Sequence, residues 1–163
     1  MAGKKSSTPF VAADALIAAY ATNNRINLYL VKNIPDDAWR AKLPGGKGRD
    51  IASIVAHIHN VRLMWLKASG AKSIPEKVDP ATLTIHEAID ALQASWKALE
   101  DTLRVSLAGE GNIKGFKPDA VSFFGYLVAH DAHHRGQITM LARQLGHPVS
   151  QSVMFGLWEW GTR

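Results

Sequence analysis

The stretch "VSFFGYLVAHDAHHRGQITMLARQL", residues 121–145, decides the fold class. It is too long for a strand, contains no proline and sets its apolar residues three and four apart. On a helix turning about 100° per residue, Phe123, Leu127, His130, His134, Gln137 or Ile138, Leu141 and Leu145 fall along one stripe. His130 and His134 lie one turn apart on that stripe, whereas His133 is swung about 100° from His134. Of the three imidazoles crowded into this segment, two converge. Gly146 and Pro148 supply the stop.

Three further segments have the same period. Residues 10–33 carry Phe10, Ala13, Leu16, Ile17, Tyr20, Asn24, Asn27, Leu28 and Val31, with Thr8 and Pro9 as cap and first turn, and "NIPDDAW" follows as the end. Residues 50–69 open on Asp50 as N-cap, present Ile51, Ile54, Val55, Ile58, Val61 and Trp65, and close at Gly70. A third helix, led by the capping-box pair Thr84 and Glu87, runs to about residue 107 through Ile85, Ile89, Leu92, Trp96, Leu99 and Leu103. No segment alternates as a half-buried strand does. The expected fold is all-α, a four-helix bundle, with an aromatic C-terminal tail, "VSQSVMFGLWEWGTR", packed on it. Residues 1–9 read as a flexible tail and 10–163 as one domain, within the size of an ordinary globular unit.

Composition narrows the function. With 47% hydrophobic and 20% charged residues the chain is globular, and its apolar runs stop short of the ~20 residues a membrane span needs. No secretion signal is read at the start, so a cytoplasmic protein with no membrane partner is expected. The chain has no cysteine, so disulfides, thiolate metal sites and a cysteine nucleophile are excluded, and a metal must be held by His, Asp or Glu. The net charge is +5, but Lys4 and Lys5 sit in the tail, Lys42, Lys47 and Arg49 in a loop, and the rest singly. No basic run interleaves with aromatics, so nucleic-acid binding is not expected.

A histidine on an apolar face is most simply a hydrogen-bonded core residue. Two at i and i+4 suit a divalent cation, which satisfies both acceptor nitrogens at once. A third ligand must come from another helix. "AHIHN" offers His57 and His59, but on a helix these diverge by about 200°, so only one can join. His57 shares a line with Ile54, Val61 and Met64 and is read as the inward one; His59, beside Asn60 and on the side of Arg62, is read as a surface or rim residue. His86 and His147 are read as solvent-facing or local capping groups.

The segment "AHIHNVRLMWL", followed about seventy residues later by "HDAHHRGQITML", resembles the DinB-like (YfiT-like) metalloenzyme family. That resemblance extends from about Ala13 to Leu145, and its second motif, H-x-x-x-H-R-G-Q, is the specific one. It implies a metal triad of His57, His130 and His134, the set the helical geometry also selects. It further implies an up-up-down-down bundle with one long crossover, a homodimer, and, from some members, transfer of a low-molecular-weight thiol. The tail "FGLWEWGTR" maps onto no general family function.

Three neutral imidazoles leave a divalent ion its full charge and open positions, suited to activating a thiol or a water. The expectation is a divalent-metal-binding protein, Zn or Ni foremost, Fe or Mn next, acting as a thiol S-transferase on a small-molecule substrate. The alternatives are a metal-dependent hydrolase and a non-catalytic metal-binding or structural bundle. Gln137 either supports a ligand or bonds a neighbouring helix. Arg135 points off the triad line toward an acid or the rim, Gly136 permits close helix approach, and Asp131 is a solvated or pairing charge or else a support for His130. Asn24, Asn27 and Trp65 line a pocket or belong to the core. No catalytic side chain beyond the ligands is assigned.

Overall fold

A computed structural model describes residues 9–163; the expected Thr8 cap and nearly all of the expected N-terminal tail lie outside the described residues. Among the described residues every regular element is a helix: α1 (Ala12–Lys32), α2 (Asp36–Trp39), α3 (Ile51–Ser69), α4 (Ile85–Ala108), α5 (Ala120–Gln144) and α6 (Gln151–Gly156). The four long ones form the bundle and match the four periodic segments of the sequence.

Local chemistry sets most of their ends. Asp50 accepts from the Ser53 amide at 2.8 Å and Asp119 from the Ser122 amide at 2.7 Å, each satisfying a donor that the first turn leaves free. Thr84 and Glu87 form both halves of a capping box. Two helices stop in Schellman turns: Gly70 (φ 73°) and Gly146 (φ 82°) take the left-handed conformation, and the following amides of Ala71 and His147 reach back to Leu66 and Ala142. At the start of α1 the expectation is corrected. Phe10 lies outside the helix and is 82% exposed, and the N-cap is Val11, which has no side-chain oxygen to offer. Likewise "NIPDDAW" is not only an end, because Asp36–Trp39 forms the short α2 that buries Ala38 and Trp39.

The direction of each helix follows from two apolar clusters. One gathers Leu28 to Val31 of α1, Ile51 to Ile58 of α3, Ala88 and Leu92 of α4, and Ile138 and Ala142 of α5. The other gathers Ile17 and Tyr20, Leu66, Leu99 and Leu103, and Phe123 and Leu127. The C-terminal halves of α1 and α5 therefore share an end with the N-terminal halves of α3 and α4. The bundle runs up-down-down-up, which corrects the up-up-down-down order but keeps the single long crossover, since parallel α3 and α4 can be joined only by a link along the bundle. Each long helix packs on two main neighbours, around the order α1, α4, α3, α5.

The crossover, residues 70–84, has no helix of its own and is held by side chains. Asn60 exchanges two hydrogen bonds with the Val78 backbone at 3.1 and 3.2 Å, and the Trp39 indole donates to the Leu83 carbonyl at 2.9 Å. At the other terminus α6 seats Val153 and Gly156 against the bundle, and Arg163 stacks on Tyr29 at 3.8 Å. A β-carbon at Gly156 would lie 2.6 Å from the Tyr29 hydroxyl, so glycine permits this close seat. The tail packs on the bundle through these residues, while Phe155 and Trp158 face outward, 63% and 78% exposed.

Candidate metal centre

Between the two apolar clusters the bundle is polar, and this layer carries the site. His57 on α3 and His130 and His134 on α5 meet across the antiparallel α3–α5 groove, their ring centroids 4.5–5.4 Å apart. One nitrogen from each ring lies within 4.8 Å of the other two. The His130 and His134 Nε2 atoms are 3.2 Å apart, close to the ~3.3 Å that separates two nitrogens bound 2.0–2.1 Å from a tetrahedral ion. His134 is buried, whereas His57 and His130 are half-buried and open toward solvent. Among the described residues no carboxylate joins the group, so the donor set is three imidazoles and nothing else.

Their electrostatics fit a cation held by lone pairs. Burial pushes His134 down to about 4, against the opposing hydrogen bond to Gln137, and neighbouring histidines lower it further. His57 is also lowered, first by burial, then by the positive Arg49 and by His130. Both shifts favour the uncharged rings of His57 and His134, the form that metal ligation requires. Gln137 Oε1 accepts from His134 Nδ1 at 2.8 Å, which leaves His134 Nε2 without a proton and free to bind. The ring-supporting alternative for Gln137 is the one observed, and no bond to a neighbouring helix forms.

Beneath the histidines lies a buried ion pair. Arg62 donates to Asp131 Oδ2 at 2.7 Å, with both side chains at most 2% exposed. Asn23 and Asn27 donate to the same oxygen at 2.7 and 2.8 Å, and Arg62 also reaches Asn24 Oδ1 and the Leu92 carbonyl. Burial alone would raise the Asp131 carboxyl, but the Arg62 guanidinium and these donors outweigh it and hold the group well below the usual carboxylate range. The other oxygen, Oδ1, faces His130 Nδ1 at 3.9 Å, too far for a hydrogen bond. Asp131 is therefore a pairing charge, but not a solvated one.

Several expectations are corrected. His59 is not at the rim: it is 1% exposed between α4 and the crossover, with Nδ1 2.8 Å from the Ala91 carbonyl and Nε2 2.9 Å from that of Glu76, one of which accepts its ring proton. Met64, placed with His57 on an inward line, is 51% exposed. The core face of α3 is the Ile58, His59, Arg62, Leu66 side, the reverse of the expected one, and His57 lies instead in the groove toward α5. Arg135 does point off the triad, but it donates to Asn23 and Asn27 rather than to an acid. Gly136 has no atom within 4 Å of where its β-carbon would sit, so no helix approaches there. Asn24 and Asn27 belong to the buried layer, and Trp65 packs edge-on against Phe116, Phe123 and Tyr126 as core. His86 is exposed beside Asp90, as a solvent-facing residue should be.

Sequence reasoning missed Asn23 and Arg62. The signal was present: Asn23 and Asn27 stand one turn apart on α1, and Arg62 interrupts the Ile58, Leu66 series on α3 at a core position.

A bundle with a three-histidine group on its second and last long helices defines a class of metal-binding helical protein. The family model described as the DinB family matches residues 10–160, and the chain belongs to the DinB family. No curated protein matches it.

Proposed function

We propose that this protein is a divalent-metal-dependent enzyme in which His57, His130 and His134 are the ligands, and that it transfers a low-molecular-weight thiol to an electrophilic small molecule. The observation that supports this is the donor set: three imidazoles, two of them open to solvent, with no fourth protein ligand among the described residues. A purely structural ion is usually closed by four protein ligands, whereas a site that acts on substrate keeps a position free. When bound, a divalent ion, Zn or Ni foremost and Fe or Mn next, favours thiolate over thiol or hydroxide over water.

The chain's own residues do the rest. Arg62 cancels the Asp131 carboxylate just behind His130, so this anion does not oppose a negative substrate atom. Gln137 keeps the His134 lone pair turned to the opening. The same site supports a metal-dependent hydrolase, and thiol dependence separates the two.

Metal analysis of the purified wild type beside His134→Ala tests ligation: metal in the first and loss in a folded second is expected, and equal content rejects the triad. Incubating the metal-loaded protein with a thiol and an electrophile panel then tests the reaction. Thiol adducts are expected; hydrolysed products without thiol uptake would assign the hydrolase, and no turnover of either kind the non-catalytic binding protein. Sedimentation of the full chain tests the homodimer expected of the family resemblance.

A further inference from the structure

We infer that Gln137 is a positioning residue that selects the metal-binding tautomer of His134, and that His133, the histidine turned away from the triad, holds Gln137 in the orientation this needs. The inference rests on the metal-centre reading above and adds a role for two residues outside the triad. Gln137 Oε1 lies 2.8 Å from His134 Nδ1, and Gln137 Nε2 lies 2.9 Å from His133 Nε2. An amide oxygen only accepts and an amide nitrogen only donates. With this orientation His134 must carry its proton on Nδ1 and His133 must leave Nε2 bare.

Reversing the amide reverses both assignments. The NH2 group would then face His134 Nδ1, the ring proton would move to Nε2, and the atom that lies 3.2 Å from His130 Nε2 would no longer have a lone pair to give. One rotation of a single amide thus opens or closes a ligand. Nothing on another helix is bonded to the Gln137 side chain among the described residues, so the acceptor at His133 is the partner that favours the open state. Residues 133, 134 and 137 sit three and four apart on α5, the spacing that brings side chains together on a helix surface. The exposed His133 is a bystander to the triad but not to its function.

The test titrates metal-free protein with Co2+, followed by visible absorption and by Zn2+ competition, and reads the His134 tautomer by 15N NMR before and after loading. In the wild type His134 is expected as the Nδ1–H tautomer in both states. Gln137→Leu, which can neither accept nor donate, should weaken metal binding about 10- to 100-fold and lose that uniform tautomer. Gln137→Glu keeps the acceptor and should bind within a few-fold of wild type, a rescue that loss of packing alone would not produce. His133→Ala should weaken binding about two- to fivefold. Wild-type affinity in Gln137→Leu, or an equal loss in Gln137→Glu and Gln137→Leu, overturns the inference. A wild type that binds neither ion overturns the metal-centre reading instead. In that event the metal-free spectrum still decides on Gln137, because an Nε2–H tautomer at His134 rejects its proposed role.

Discussion

Arg62 and Asp131 place opposite charges where the bundle is otherwise apolar at both ends, and three asparagines from α1 add hydrogen bonds to them. Breaking such a pair leaves a buried charge unpartnered. Arg62→Ala should cost about 3–5 kcal/mol by urea denaturation, with Asp131→Ala similar, whereas replacing both by apolar residues of like volume should cost much less. The two histidines of "HIH" should separate in their effects. His57→Ala is expected to abolish metal binding with little change in the melting temperature of the metal-free protein, and His59→Ala to keep the metal while lowering that temperature, because His59 is buried between the crossover and α4 and hydrogen-bonds there. Calorimetry and metal analysis on the two variants check this, and the opposite assignment would restore the rim reading of His59. At this scale the sequence was legible for His130 and His134, whose one-turn spacing fixes their mutual direction on any helix. It was not legible for His57 against His59. Both flank Ile58, and which side of α3 is the core depends on where α4 and the crossover lie.

Helix lengths and ends follow from local chemistry and were largely legible. Asp50, Thr84 with Glu87, Gly70 and Gly146 act through atoms a few residues away, so no tertiary information is needed to place them. Asp119 was the local cap that the periodic pattern passed over, since it precedes the first apolar residue of α5. Gly125 and Gly136 are different: both lie inside α5 and a β-carbon at either would meet no atom within 4 Å. Alanine at each position should therefore raise stability by about 0.5–1 kcal/mol, read as a higher denaturation midpoint, because it removes backbone freedom from the unfolded chain at no steric cost. Unchanged or lower stability in Gly125→Ala would mean that this surface of α5 is occupied in solution.

For the whole molecule, pH and metal act on the same balance. His57, His59 and His134 all have their folded values lowered, His134 to about 4 from 6.5. Between those two values the unfolded chain takes up protons that the folded chain refuses, so acidification favours unfolding. The metal-free protein should lose stability steadily from about pH 7 to pH 4. Below the ordinary carboxylate value Asp131 adds to the loss, because its folded value is depressed. Zn2+ at about 100 times its dissociation constant should stabilise the wild type at pH 7 by about 2.7 kcal/mol, a melting-temperature rise of roughly 5–11 °C. That rise should vanish in His57→Ala. Thermal melts across pH, with and without metal, check both expectations. No helix among the described residues is long and apolar enough to cross a membrane.

The all-helical class, the four long helices and most of their caps, and the convergence of His130 with His134 can be read along the chain, because each depends on atoms within about one turn. The up-down-down-up order, the burial of His59, and the ion pair that couples Arg62 on α3 to Asp131 on α5 emerge from the packing of the helices. Those outcomes depend on which helix lies against which, and a periodic pattern shows that a face is covered without showing what covers it. The triad spans both kinds of information. Its α5 half is set by helical geometry, and its third member waits on the packing of α3 against α5.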